Sequence, residues 1–236
     1  MNFPFDIPVS HTFSSFSIFC CRGERLQVIL LDTRYARSKF NPTDKPGAQG
    51  KEQYIPFDEK DEKGKTMLGG SQWEWLKYQL DRPADVRLIV SSIQVLADGT
   101  GLECWRMIED QRQKLYDWIA HPTGGGQTIL LSGNRDMGGL YHHKELDLYE
   151  ITSGSLSEEI TATKKGCVYL NDCDEKDDMR LDDFVRVANF ATVDVDWEMR
   201  SVTLGLNRAE NSSRTDNDAG ELLQFVEVDI PNGDWF

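Results

Sequence analysis

The chain has 236 residues and a mass of 26.9 kDa, with 26 Lys and Arg against 40 Asp and Glu and a formal charge of -14. So acidic a surface argues against nucleic acid or an anionic membrane as the main partner. A hydrophobic content of 39% excludes wholesale disorder, and the length suits one large domain or two small ones with a real core.

Five cysteines are present: Cys20, Cys21, Cys104, Cys167 and Cys173. They are odd in number, irregularly spaced and form no CxxC, so neither a zinc ribbon nor a disulfide framework is indicated. Free thiols are expected, although Cys167 and Cys173 could bridge in an oxidising compartment. No apolar run approaches a membrane span. The N-terminus is apolar (Phe3, Phe5, Ile7) but carries Asp6 and no basic stretch, which does not make a signal peptide. A soluble chain is expected, cytoplasmic if this N-terminus is genuine.

Met1–Cys21 is rich in phenylalanine and serine and has no steady period. Phe13, Phe16, Ile18 and Phe19 could form a strand with a partner elsewhere. Residues 1–22 are therefore set apart as an irregular or edge-strand segment, and residues 23–236 as the main unit. Arg25–Leu31 reads as a strand that closes on Asp32-Thr33-Arg34. Residues 39–65 hold proline, glycine and dense charge and read as a surface loop, long enough to suggest function or insertion. Ser71 then opens a helix, with Glu74 completing a capping-box pattern. Trp73, Leu76 and Leu80 share a face, and Asp81-Arg82-Pro83 stops the helix.

Val86–Ser92 is a further short strand, followed by Gln94 in a glycine-bearing loop. Trp105–Ile119 is a helix in which Arg112 lies at the apolar stripe, a position that suits a buried ion pair better than a ligand contact. Gln127–Tyr141 holds the stretch around which the rest is organised. Thr128–Leu131 reads as a buried strand, and Ser132-Gly133-Asn134-Arg135-Asp136 leaves its C-terminal end. Ligands usually sit at such ends. Asn134 and Asp136 would face one way if the backbone stays extended, and Arg135 suits a phosphate or carboxylate. A plain strand exit with polar turn residues explains the same pattern. Leu146–Thr152 is another strand. Residues 171–183 form an acidic loop that fails the EF-hand spacing. Phe184–Trp197, Arg200–Leu206 and Glu221–Val228 alternate as antiparallel strands. The whole predicts an α/β fold, strand and helix alternating first and mostly strand last. Asp32 and Arg34, Ser91 and Gln94, and Asn134 and Asp136 would lie on one rim.

A set of motifs carries a resemblance. Leu30-Leu31-Asp32-Thr33-Arg34-Tyr35-x-Arg37, Gly70-x-Gln72-Trp73-x-Trp75-Leu76, Ser91-Ser92-Ile93-Gln94-Val95-Leu96, Glu103-x-Trp105, Leu131-Ser132-Gly133-x-Arg135 and Asn189-Phe190-x-Thr192-Val193-x-Val195-Asp196-Trp197 occur in that order. Together they resemble the C-terminal half of a PhoD-like alkaline phosphatase, within the calcineurin-like metallophosphoesterases. The likeness runs from about Ser15 to the end of the chain. It implies the C-terminal part of a four-layer α/β/β/α sandwich. In this family metal ions at strand ends stabilise phosphoryl charge and activate water to hydrolyse phosphate esters.

The resemblance places Asn134 and Asp136 as metal ligands, where the family has Asp and His. It also implies that Asp32, Arg34, Gln94, Trp105 and Arg135 bind substrate or support the site. Arg34 is equally well read as the structural partner of Asp32. The ligand change favours Ca²⁺, Mg²⁺ or Mn²⁺ over zinc or iron, and Gly139 stands where the family commonly has Glu. The upstream half of the family, which supplies most metal ligands, has no counterpart here. His11 does not replace it, and the adjacent His142 and His143 point opposite ways in extended chain. Three functions compete: an active phosphoesterase acting on a phosphate ester, a non-catalytic relative that binds metal, phosphate or protein, and a fragment of a longer enzyme. Exposed sheet edges in half a sandwich would favour self-association.

Overall fold

The computed structural model describes residues 14–19, 23–43, 53–120, 122–154, 156, 176–209 and 219–232. Its strands are β1 (Ser14–Phe19), β2 (Arg25–Leu30), β3 (Asn41–Pro42), β4 (Tyr54–Ile55), β5 (Val86–Val90), β6 (Gln127–Ser132), β7 (Gly139–His143), β8 (Leu148–Thr152), β9 (Asn189–Asp196), β10 (Ser201–Arg208) and β11 (Leu222–Asp229). Its α-helices are α1 (Gly70–Leu80) and α2 (Glu109–Ala120), the latter led in by a 3₁₀ turn, Trp105–Ile108.

One sheet has the order β1-β2-β5-β6-β8-β7, with β2, β5, β6 and β8 parallel and the two outer strands antiparallel. A second, antiparallel sheet has the order β11-β10-β9, and β3 and β4 form a short pair. The middle strands β5, β6 and β8 of the first sheet are buried on both faces, with apolar residues at both parities. Ile29, Ile89 and Leu130 face the helices, packing with Trp73, Leu76 and Leu115. Leu88, Ile129 and Ile151 face the second sheet, packing with Val202, Leu204 and Val228.

The expected neighbours β2, β5 and β6 are adjacent and in register, Leu30 beside Val90 and Val90 beside Leu131. The first strand finds its partner next door, pairing antiparallel with β2. β7 is a strand not named among the sequence expectations; its one glycine and two histidines hide the pattern. The capping box does not form: α1 starts one residue earlier, after Gly69 at φ 77, with no side-chain cap. Trp73, Leu76 and Leu80 are buried as expected, and the helix ends at Leu80. Arg112 is buried and ion-paired to Asp98 at 2.6 Å and Glu109 at 2.8 Å.

At the far end of the sheet from the strand exits, Arg87 is completely buried. Its guanidinium donates to Gln27 Oε1 at 2.7 Å, Gly125 O at 3.0 Å, Arg82 O at 2.8 Å and Leu80 O at 3.4 Å. Desolvation lowers its pKa to about 10, so it stays charged at neutral pH. One side chain thereby ties the end of α1 and the β6 approach to the sheet. No described helix is long and apolar enough to cross a membrane.

Candidate functional site

The C-terminal ends of β2, β5 and β6 form one rim because the three strands are parallel and adjacent. After β2, Gln72 of α1 clamps the Asp32 backbone from both sides, accepting its N–H and donating to its carbonyl, each at 2.8 Å. The Asp32 carboxylate turns back on its own loop and accepts the Arg34 and Tyr35 N–H groups at 2.8 and 2.9 Å. That is an Asx turn, and it aims the Arg34 side chain outward along the rim. Tyr35, beside it, is 83% exposed.

Arg34 donates through Nη1 to Glu103 at 2.6 Å and through Nη2 to Asn134 at 3.1 Å. Arg37 donates to the other Glu103 oxygen at 2.8 Å, and Asn134 Nδ2 reaches Glu103 at 3.4 Å. Glu103 is therefore the hub of the rim, a role the sequence reading did not give it. The signal was present in Glu103-x-Trp105 and in two arginines three residues apart. Beside this cluster, Thr33 and Ser92 share a hydroxyl hydrogen bond between the ends of β2 and β5.

The other expected site residues lie differently. Asn134 is exposed at φ 64, in the left-handed region, so the backbone through it is not extended and the inference that Asn134 and Asp136 share a direction loses its premise. Asp136 is exposed. Arg135 is buried and turns under the rim to Thr100 Oγ1 at 2.6 Å and Gln94 Oε1 at 3.4 Å. Gln94 is also buried, donating to the Tyr141 hydroxyl at 2.9 Å and Thr152 Oγ1 at 3.1 Å. Trp105 is completely buried, its indole N–H on Ser91 Oγ at 3.0 Å, so it supports the loop from the core. Gly154 lies against the same loop: a Cβ there would stand 1.8 Å from the Arg135 carbonyl oxygen.

Beneath the rim, Glu150 on β8 is completely buried and accepts the Val95 and Leu96 N–H groups, the latter at 2.6 Å. Desolvation pushes its carboxyl above the usual range, against the pull of these hydrogen bonds. It holds the start of the loop that ends at Glu103. Asp177 fixes the middle of that loop by accepting the Asp98 and Gly99 N–H groups at 2.7 and 3.0 Å. The acidic run is otherwise outside the described residues from 171 to 175.

His142 and His143 do point opposite ways. His142 stacks on Tyr149 with ring centroids 4.0 Å apart, and His143 meets Tyr116 edge-on at 5.3 Å. Both sit toward the end of β7 that pairs with Leu148, away from the rim. Cys104 is a buried free thiol pushed up to about 12 by desolvation, which makes it inert. His11, Cys167 and Cys173 lie outside the described residues.

These donors do not fit a two-metal centre. Among the described residues no group of three or more His, Cys, Asp and Glu side chains is placed to hold a metal ion. The rim carboxylates are engaged, Asp32 by backbone N–H groups and Glu103 by two guanidiniums. Arg34 brings positive charge to the oxygen of Asn134, where a cation would need the same oxygen.

No protein-family model matches the sequence, and no curated protein matches it. Solved structures do. A structure of PhoD aligns with a TM-score of 0.56 at 14% identity, covering 82% of this chain and 37% of that one. A structure of GAP50, the anchor in the inner membrane complex of Plasmodium, aligns with a TM-score of 0.58 at 15% identity, covering 94% of this chain and 55% of that one. The chain has a PhoD-like fold. It spans well under two thirds of either solved chain.

Proposed function

We propose that this chain is the C-terminal part of a PhoD-like metallophosphoesterase, a phosphate-ester hydrolase of the alkaline phosphatase type, and that alone it does not turn over substrate. The observation that carries the reading is the convergence of Arg34, Glu103 and Asn134 from three separate segments at the rim of the fold. It is supported by the PhoD-like fold and by the order of the six motifs. On this reading the two sheets and the helical layer would be three layers of an α/β/β/α sandwich. The same reading assigns the remaining layer and most metal ligands to residues other than those described. Metal-assisted hydrolysis needs ligands held to a fraction of an ångström. Loss of one electrostatic contact costs on the order of a hundredfold in rate. A metal that binds weakly here is Ca²⁺, Mg²⁺ or Mn²⁺, because only oxygen donors are offered.

A second reading is a non-catalytic relative that binds an anion or a protein. The engagement of both Arg34 and Arg37 by Glu103 favours a structural rim. The fold also occurs in a protein described as an anchor. The deciding experiment is turnover of an aryl phosphate ester with Ca²⁺, Mn²⁺ or Zn²⁺ added. No rate above background is expected. Robust turnover that Asp136→Ala abolishes would make the chain an active enzyme and overturn the proposal.

A further inference from the structure

The second sheet turns one face to the first sheet and the other away from it. Val193, Val202, Leu204, Val226 and Val228 lie in the core between the sheets. Side chains alternate along a strand, so the residues between these point outward. Register sets them in rows across β9, β10 and β11: Thr192, Gly205 and Phe225, then Asp194, Thr203 and Glu227, then Asp196, Ser201 and Asp229. The Phe225 end is apolar where an open sheet face is ordinarily polar. Phe225 is 62% exposed and Leu222 is 51% exposed. Gly205 keeps this end flat: Leu222 and Thr192 close over it, and a Cβ there would stand 2.9 Å from Leu222 Cδ1 and from Thr192 Oγ1.

The other two rows are acidic. Asp194, Asp196, Glu227 and Asp229 are exposed, and among the described residues no cation pairs with any of them. Arg200, just before β10, is held by the Ile230 and Pro231 carbonyls at 3.3 and 2.6 Å. Carboxylates on β9 and β11 stand two strand spacings apart, about 10 Å, and successive rows about 7 Å. One metal ion cannot bridge them, since its oxygen ligands lie about 2.3–2.6 Å away. Their repulsion is still felt, because about 8–10 Å is one screening length at ordinary salt. Several separate cations on one scaffold relieve it. Ser201 lies between Asp196 and Asp229, is 6% exposed, and its hydroxyl has no hydrogen-bond partner among the described residues.

We infer that this outer face docks a basic amphipathic helix of a partner protein. The ladder N–H and C=O groups lie in the plane of the sheet, so the face offers side chains only. An extended peptide laid on it would give up water from its own backbone without replacement, whereas a helix pairs its backbone internally. A helix is about 10 Å across, which matches the span from β9 to β11. Its large apolar residues meet Leu222 and Phe225, and its Lys and Arg residues meet the two acidic rows. The Ser201 hydroxyl gives it a further polar contact. Charge decides against a second copy of this chain, because each copy carries -14 and would bring acidic rows to acidic rows.

Calorimetric titration of the full chain at low salt tests this, with a synthetic helical peptide as the probe. The peptide carries leucines towards one end of a face and lysines towards the other. Saturable one-to-one binding is expected, weakening as salt rises. Phe225→Ser is expected to weaken it about tenfold. Asp194→Asn/Glu227→Gln is expected to weaken it about threefold or more. Glu74→Gln/Glu145→Gln, which takes the same charge from exposed positions elsewhere, leaves it unchanged. Absence of binding by the unaltered chain overturns the inference. An equal loss in the Glu74/Glu145 variant overturns it as a net-charge effect, and insensitivity to Phe225→Ser overturns it as attraction without docking. A dimer in sedimentation that Phe225→Ser returns to monomer overturns it as well, by assigning the face to a second copy.

Discussion

Arg34 and Asn134 meet across three strands: Nη2 donates to Oδ1 over 3.1 Å, although one residue follows β2 and the other β6, with β5 between them. The contact is possible because parallel neighbours end on one rim and the Asx turn at Asp32 lays the arginine along it. Glu103 completes the bridge and is shared with Arg37. The rim is thus closed on itself by charge.

Opening it is the first prediction. Glu103→Gln removes the anion from two guanidiniums but keeps an acceptor oxygen. Arg34 is 46% exposed, so solvent screens the loss, and the cost to stability is about 1 kcal/mol or less. The freed pair is then available to an oxyanion. Thermal unfolding with and without phosphate is the check. Phosphate is expected to raise the midpoint of Glu103→Gln more than that of the parent, and Arg34→Ala in the Glu103→Gln background is expected to cancel the gain.

The second prediction concerns Arg87. Its removal leaves Gln27 Oε1 and the carbonyls of Leu80, Arg82 and Gly125 short of a donor in a buried place. Unsatisfied buried acceptors and a broken buried charge site together cost roughly 3–5 kcal/mol. Arg87→Ala is expected to fall in that range by denaturant titration. Arg87→Met, which keeps much of the volume but none of the donors, is expected to recover little of it. Full recovery by Met would mean that packing, not hydrogen bonding, holds this end.

Much of the fold was legible in the sequence because burial on both faces writes apolar residues continuously along β5 and β6. The three antiparallel strands were equally plain, since alternation marks a half-buried sheet. β7 was not, because Gly139 and two histidines carry no such mark. The site was legible only in outline. The strand exits placed Asp32, Arg34 and Asn134 together, but local spacing is silent on the left-handed turn at Asn134. That turn sends Arg135 inward and leaves Asp136 outside. Glu103 escaped because its partners are 69 and 66 residues away in sequence. The close approach of Gly154 to the Arg135 carbonyl is likewise a tertiary fact.

The third prediction is a pH dependence. Burial raises the Glu150 carboxyl above its ordinary value of 4.5. The folded state then holds its proton at a pH where the unfolded state has lost it. Stability from this group is fully present below about 4.5 and declines as pH rises through the folded value. Glu150→Gln removes the titration. The stability of the parent relative to Glu150→Gln is therefore expected to fall as pH rises from 4 towards neutrality, measured by denaturant unfolding at several pH values. A difference that is flat across that range, or that grows with pH, would show that the hydrogen bonds from Val95 and Leu96 outweigh desolvation.

The last prediction is that restoring the family's ligand types does not restore a metal site in this chain. Asn134→Asp/Asp136→His supplies one anion and one imidazole. Asp tolerates the left-handed backbone at 134 almost as well as Asn, so the fold is expected to survive. The new carboxylate would then sit beside the Arg34 guanidinium, which already reaches that position at 3.1 Å, and close to the Glu103 carboxylate. An ion pair with Arg34 competes directly with any metal for the same oxygens. The described carboxylate that faces the two loop ligands, Glu103, is held by Arg34 and Arg37, which also leaves a dinuclear cradle without a free other side. Titration with Mn²⁺ or Zn²⁺ followed by calorimetry is expected to show no tight binding in the double variant. Aryl phosphate turnover is expected to stay at background. Adding Arg34→Ala relieves the competition and is expected to strengthen metal binding without starting turnover. Tight binding of about two metal ions by the double variant, accompanied by hydrolysis, would falsify the view that this chain lacks the rest of its site.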